Sequence, residues 1–377
     1  MPDAELDAIV IGGGVVGLAI AAALAPRGVS LALFERHPEF GREGSSRNSE
    51  VVHAGIYYAA GSLKERLCVE GRHELYALAE RHDLPFRKCG KVIVALEETD
   101  VSLLEEFKRR GEANGVEGLR LLARGELAQL EPHVEARAAL HSPETGIISA
   151  HALMDCFARL ATDAGAELVR GAEVRGFERD GGVWRVAYCD AGGDEAITAR
   201  VMINAAGLSA QRVMRMAGLD PATLDLRRHL CKGEYFAVHG EKRGRVRSLV
   251  YPPPEVSLAG LGIHTVPDLG GGLKLGPSAF YVDEEDYAVE AAHAPDFLET
   301  VRPFLPFLEP EDLAPDMAGI RPKLAGEGEP ARDFHIAHEA AAGAPGFFNL
   351  AGIESPGLTA SPAIGRLVAE LATEYLA

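Results

Sequence analysis

Ala8-Ile9-Val10-Ile11-Gly12-Gly13-Gly14-Val15-Val16-Gly17-Leu18-Ala19-Ile20-Ala21 is the stretch on which the fold turns. Ala8–Ile11 is an unbroken apolar run, the pattern of a strand buried on both faces in a parallel sheet. Glycines interrupt it at once. Leu18 to Ala25 is then apolar on nearly every side, as suits a helix packed under a sheet, and Pro26-Arg27-Gly28 ends it. Leu31-Ala32-Leu33-Phe34 reads as a second strand closed by Glu35. Gly12 permits the tight turn, Gly14 lets the backbone approach a pyrophosphate, and Gly17 lets helix and strand pack closely. The helix start offers free N–H groups and partial positive charge to phosphate. Glu35 stands about 20 residues further on, where a carboxylate accepts hydrogen bonds from a ribose. Gly12, Gly14, Val15, Val16, Gly17, Glu35 and Arg36 are therefore the expected dinucleotide-binding residues.

Outward from this unit, a polar loop, Pro38–Arg47, leads to a helical pattern over Leu63–His82. Lys91–Leu96 reads as a strand, Leu103–Leu130 as a helix charged on one side, and His151–Ala164 as another helix. Val201–Asn204 is a strand running into Ala205-Ala206-Gly207. Residues 226–320 change character, with β-branched and aromatic runs, Pro252-Pro253-Pro254 and Gly270-Gly271-Gly272, as in an antiparallel sheet with turns. Phe347–Ala351 is a final strand before a glycine-bounded turn and a helix. Pro362 suits that helix's first turn, and Ile364, Leu367, Val368 and Leu371 form a core-facing stripe. The expected fold is α/β (α+β overall): a Rossmann-type domain from residues 1–85, 147–225 and 322–377, and a substrate domain from 86–146 and 226–321 with a mixed or antiparallel sheet.

The 377 residues exceed one typical domain. The net charge of −18 opposes phosphate backbones, so nucleic acid is not an expected partner, and membrane association is at most peripheral. Five isolated cysteines, at 68, 89, 156, 189 and 231, fit no metal spacing and point to reduced thiols in a cytoplasm. Asp3, Glu5 and Asp7 beside the first apolar run speak against a secretion signal, and no run has the length of a transmembrane helix. A nucleotide unit at the start and a glycine turn near the other end, meeting around one cofactor, favour FAD over NAD.

Gly44-Ser45-Ser46-Arg47-Asn48-Ser49-Glu50-Val51-Val52-His53-Ala54-Gly55-Ile56-Tyr57-Tyr58 resembles a loop of the L-2-hydroxyglutarate dehydrogenase/oxidase family. That family belongs to the D-amino-acid-oxidase-like flavoproteins, with glycine oxidase and the glycerol-3-phosphate dehydrogenases. Gly61–Lys64, Leu67–Gly71, Ile203–Gly207, Lys232–Phe236, Gly262–Thr265 and Gly352–Thr359 resemble it too. The resemblance implies non-covalent FAD, a glutathione-reductase-2-like fold, a small carboxylate substrate, and oxygen or a quinone as electron acceptor. Arg321-Pro322-Lys323 stands where family members carry Arg-Ala-Gln.

Ser45 and Ser46 offer hydroxyls to phosphate oxygens, and Asn48 and Ser49 are candidates for the flavin ring or ribityl chain. Ala205, Ala206 and Gly207 suit close packing on the cofactor. Val174 resembles the residue that meets adenine through its backbone. Gly352, Ile353, Glu354, Ser355, Pro356, Gly357, Leu358 and Thr359 form a turn at a helix start, which stabilises charge on the flavin N1/C2=O edge by about 1 kcal/mol. The expected reaction is hydride transfer from a 2-hydroxy acid to flavin N5, with His53 or His264 taking the hydroxyl proton. Arg321 offers a bidentate fork to the substrate carboxylate and Lys323 a second charge. Tyr251, Lys232 and Tyr58 are further substrate-pocket candidates. An amine or amino-acid oxidase, a glycerol-3-phosphate dehydrogenase-like enzyme, and a non-catalytic flavin-binding protein are the alternatives.

Overall fold

The structure is a computed structural model that describes residues 4–253 and 262–377. Asp3 and Pro254, drawn on above, lie outside the described residues. Among the described residues the largest sheet has eight strands. Its centre is five parallel strands in the order Glu167–Arg170, Leu31–Glu35, Leu6–Ile11, Gly193–Asn204, Phe347–Ala351. An antiparallel ribbon, Glu173–Asp180 with Val183–Asp190, extends it through the first half of Gly193–Asn204.

Helices Val15–Leu24, Leu63–Arg81, Ala150–Asp163 and Gly357–Leu376 share one core on one face of this sheet, built around Leu18, Ile20, Leu75, Phe157, Ile364 and Val368. On the other face Ile9, Phe34 and Met202 pack against Trp184, Val186 and Met214. Val15–Leu24 is apolar all round because it lies between the sheet and the last helix. A side chain at Gly17 would overlap the Gly12 carbonyl oxygen. Gly12 itself has a φ of +108°, which L side chains rarely adopt. At the other contact, a Cβ at Gly365 of the last helix would stand 2.5 Å from the Ala19 carbonyl oxygen.

The second half of the molecule is mainly antiparallel. His229–Val238 pairs with Leu313–Lys323 along one side and with Leu273–Gly276 and Phe280–Val282 on the other. A four-stranded sheet joins Lys91–Ala95, Ala138–Ser142, Arg120–Ala123 and Leu249–Tyr251. Val92 and Val94 share a core with Phe236, Phe297 and Phe304, which joins the two sheets. The α/β expectation with a mixed second sheet agrees with this architecture.

Two local expectations need correction. Leu103–Leu130 is not one helix: a helix Glu98–Ala113 ends at Asn114-Gly115, Arg120–Ala123 is a strand, and Arg124–Leu130 is a short second helix. Gly115 and Gly118 both have positive φ, which breaks the helical path. Pro362 lies inside the last helix, Gly357–Leu376, not in its first turn. Its missing N–H leaves the Leu358 carbonyl free, and the Ser361 hydroxyl donates to that oxygen at 2.9 Å. No helix among the described residues is long and apolar enough to cross a membrane.

Gly17→Ala is expected to destabilise the protein by ~1–3 kcal/mol, because the added methyl forces the first helix off its strand. Urea unfolding is the check: the midpoint falls and the slope stays. An unchanged midpoint would mean that helix and strand are not held this closely.

Candidate active site

A cavity of about 980 Å³ runs from the first glycine turn to the antiparallel half. At the near end it is walled by Gly12, Gly14, Val15, Val16, Glu35 and Arg36. Gly17 does not reach it; its role is the packing contact beneath. Both Glu35 oxygens accept backbone N–H bonds, from Gly13 and His37, each at 2.8 Å. Val174 lines the same end, in the strand Glu173–Asp180. Arg36 pairs with Glu43. Burial alone raises the Glu43 carboxyl, but His37 and Arg36 outweigh it and hold it below its ordinary range.

The Gly44–Ser49 loop crosses over the helix start. Ser45 Oγ accepts from the Val15 N–H at 3.0 Å and stands 3.0 Å from where a Cβ on Gly14 would be. Ser46 lies off the cavity lining, with its hydroxyl turned to the Glu43 carbonyl at 3.4 Å. Asn48 lines the cavity, but its side chain ties the loop. Its amide donates to Gly44 and Ser45 carbonyls at 3.1 and 2.8 Å, and its Oδ1 accepts from the Glu50 N–H at 2.7 Å. Ser49 Oγ bridges to Tyr235 Oη at 2.8 Å, linking the loop to the antiparallel sheet. Arg47, absent from the sequence candidates, also faces the cavity, with its guanidinium 4.5 Å from the Tyr287 ring centroid. A cation inside a Ser-Ser-Arg-Asn-Ser loop beside a helix start is the signal that marks it.

Ala205, Ala206 and Gly207 lie along the wall after their strand. A Cβ on Gly12 would meet the Ala205 carbonyl oxygen at 2.6 Å. The whole turn Gly352–Thr359 forms the middle of the cavity. Thr359 Oγ1 accepts from the His53 N–H at 3.0 Å and donates to the Val51 carbonyl at 3.1 Å, which clamps the loop onto the last helix. Ser355 Oγ meets His53 Nε2 at 3.2 Å. Glu354 is held between Lys64 Nζ at 3.0 Å and Lys323 Nζ at 2.8 Å. Its burial favours the neutral acid, yet the two ammoniums prevail and hold the carboxyl below its usual value. A helix start walled by Gly12 and Gly14, the Glu35 carboxylate at the end of the second strand and an elongated groove fit an FAD dinucleotide in this cavity.

The far end is lined by His53, Tyr57, Tyr58, Tyr251, His264 and Arg321. His264 stacks on Tyr251 with centroids 3.7 Å apart. Its Nδ1 bonds the Gly262 carbonyl at 2.9 Å, and its Nε2 is buried with no partner. Burial, outweighing that bond, takes His264 down to about 3, helped by Lys91 and Arg321. His53 is pushed well below its ordinary value by burial, then by Lys91 and His264. Both rings are therefore neutral at neutral pH. Arg321 donates to the Ser278 carbonyl at 3.1 Å and to Cys231 Sγ at 3.4 Å, and pairs with no carboxylate among the described residues.

Lys323 lines the cavity, but Glu354 neutralises it, so it is not a free second charge. Lys232 lies outside the lining, held by Asp286 at 2.5 Å and Glu234 at 3.4 Å. The reason is strand parity: on His229–Val238, Gly233 and Tyr235 face the cavity, so Lys232 and Glu234 point the other way.

Gly14→Val is expected to abolish dinucleotide binding, since a branched side chain would fill the space between helix start and Ser45. The variant should purify colourless and take up no added FAD; a yellow variant would contradict the placement of the phosphates.

Known proteins share this arrangement. The FAD dependent oxidoreductase family, DAO, matches residues 7–371. The mitochondrial L-2-hydroxyglutarate dehydrogenase of Arabidopsis thaliana is 35% identical over 403 residues, covering 97% of this chain and 83% of its own. That of Mus musculus is 31% identical, covering 97% and 88%. Among solved structures, FAD-bound L-alpha-glycerophosphate oxidase of Mycoplasma pneumoniae superposes with a TM-score of 0.86 at 28% identity, covering 98% of this chain and 94% of that one. The chain thus belongs to the DAO family of FAD-dependent oxidoreductases, with FAD as its non-covalently held cofactor.

Proposed function

We propose that this enzyme oxidises a small 2-hydroxy acid of the L-2-hydroxyglutarate type to the 2-oxo acid. The observation that carries the reading is Arg321: a guanidinium without a carboxylate partner among the described residues, facing a cavity that also presents neutral histidines. A substrate carboxylate would complete it through a bidentate pair. The relatives named L-2-hydroxyglutarate dehydrogenase support this substrate class.

FAD, when bound, would supply the two-electron acceptor for the hydride that leaves C2. The residues of the chain do the rest. Arg321 holds the carboxylate beside the hydroxyl. His53, oriented by Ser355 and anchored through Thr359, takes the hydroxyl proton as the C–O bond becomes a carbonyl. His264 Nε2, a buried acceptor without a partner, offers a second seat for a substrate donor. The arriving carboxylate, a negative charge beside both rings, raises their basicity from the low values of the empty site. The aromatic walls of Tyr57, Tyr58 and Tyr251 exclude water.

The test is anaerobic mixing of the holoprotein with L-2-hydroxyglutarate, its D-enantiomer, lactate, glycerol 3-phosphate, glycine and sarcosine. L-2-hydroxyglutarate is expected to bleach the flavin fastest. Bleaching by glycerol 3-phosphate alone would mean that Arg321 reads a phosphate; glycerophosphate is the substrate in the Mycoplasma neighbour's name. Bleaching by amines alone would sink the hydroxy-acid reading.

Arg321→Lys is expected to keep a normal flavin spectrum and weaken substrate binding by ~10-fold or more, the cost of losing one charge-assisted hydrogen bond. The KM should rise more than kcat falls; unchanged kinetics would remove Arg321 from the site.

A further inference from the structure

Most cations that wall the cavity are neutralised by the chain itself. Arg36 pairs with Glu43, Lys64 and Lys323 share Glu354, Arg212 pairs with Glu173, and Arg332 with Asp225. Arg47, over the Tyr287 ring, has no carboxylate partner among the described residues, and two cations at the far end have none either. Arg321 has no carboxylate partner among the described residues, and neither does Lys91, in the strand Lys91–Ala95 just behind the wall. Lys91 is 1% exposed. Its ammonium lies 4.0 Å from the Tyr251 ring centroid and 4.6 Å from that of Tyr57, and donates to Tyr57 Oη at 3.5 Å.

Burying an ammonium without a counter-ion is costly, and two aromatic faces offset only part of that cost. The cavity that Tyr57 and Tyr251 line gives an anion access to this end. Burial keeps the Tyr57 phenol protonated. Since Tyr57 Oη accepts from Lys91, its own O–H is free to donate to a ligand in the cavity.

We propose that Lys91 is the positioning residue for the second carboxylate of the substrate, its charge delivered through the Tyr57 hydroxyl, so that the cavity selects dicarboxylates over monocarboxylates. The inference rests on the hydroxy-acid reading: Arg321 takes the carboxylate beside the hydroxyl, Tyr57 and Lys91 the far one. Lys323 is unavailable for that task because Glu354 neutralises it.

The experiment is titration of the holoprotein with glutarate and with butyrate, neither of which has a hydroxyl to oxidise, followed by flavin absorbance. The wild type is expected to prefer glutarate. Lys91→Met should weaken glutarate binding by about 10- to 100-fold, the range for a charge-assisted hydrogen bond, and leave butyrate unchanged. Tyr57→Phe, with Lys91 retained, should lose the same preference, and decides the matter alone if the Met variant does not fold. In the wild type the preference should shrink as the pH rises past neutrality. Burial brings the Lys91 ammonium to about 7, so it is charged below that pH and neutral above. The groups around it do not mimic this: burial drives His53 and His264 down and Tyr57, Tyr251 and Cys68 up. A wild type indifferent between glutarate and butyrate, or a Lys91→Met protein that keeps the preference, overturns the proposal. If the preference depends on Lys91 but L-2-hydroxyglutarate never bleaches the flavin, the anion subsite stands and the oxidation reading falls.

Discussion

In the nucleotide half the first helix packs so closely on its own strand that no side chain fits between Gly17 and the Gly12 carbonyl. That contact draws the helix start over the strand end and aims its N–H groups into the cavity. It also sets the height at which the last helix packs, since Gly365 rests against the Ala19 carbonyl. The turn before that last helix is thereby brought to the middle of the cavity. One constraint near the beginning of the chain thus decides where residues 352–359 stand, and with them His53, which hangs from Thr359 and Ser355.

Charge bookkeeping then separates the two ends of the cavity. Near the turn, Glu354 is shared by Lys64 and Lys323, so this group is satisfied without a ligand. Such a triad is strongly coupled: removing one member leaves an uncompensated, largely desolvated charge. At the far end the chain withholds compensation. Arg321 and Lys91 find no carboxylate among the described residues, and His264 Nε2 finds no donor. These three groups stand together at one end of the cavity, where a ligand rather than the fold completes the interactions; the other buried atoms without partners among the described residues, on Arg72, Asn114 and Tyr287, lie off its lining.

Much of the fold was legible in the sequence because its determinants are local. The glycine spacing of residues 12–17 and the acid at Glu35 are fixed by backbone geometry that a linear chain displays. What was not legible depends on partners far away. Lys323 looked like a free charge, since nothing nearby in sequence shows that Glu354 would neutralise it. Lys91 drew no notice in an ordinary strand, because only the fold seats it between Tyr57 and Tyr251. Asn48 reads as a ligand-facing amide until its three hydrogen bonds to its own loop are seen. Two misreadings were avoidable: alternation along His229–Val238 puts Lys232 opposite Gly233 and Tyr235, and Asn114-Gly115 is a helix stop.

In the proposed reaction one cavity couples oxidation of a 2-hydroxy acid to reduction of one FAD. Single-turnover stoichiometry tests it most directly: holoprotein and excess L-2-hydroxyglutarate are mixed without oxygen, quenched, and assayed for 2-oxoglutarate against the flavin reduced. The account requires one 2-oxoglutarate for each FAD bleached. Flavin reduction without the oxo acid, or no reduction at all, would contradict it.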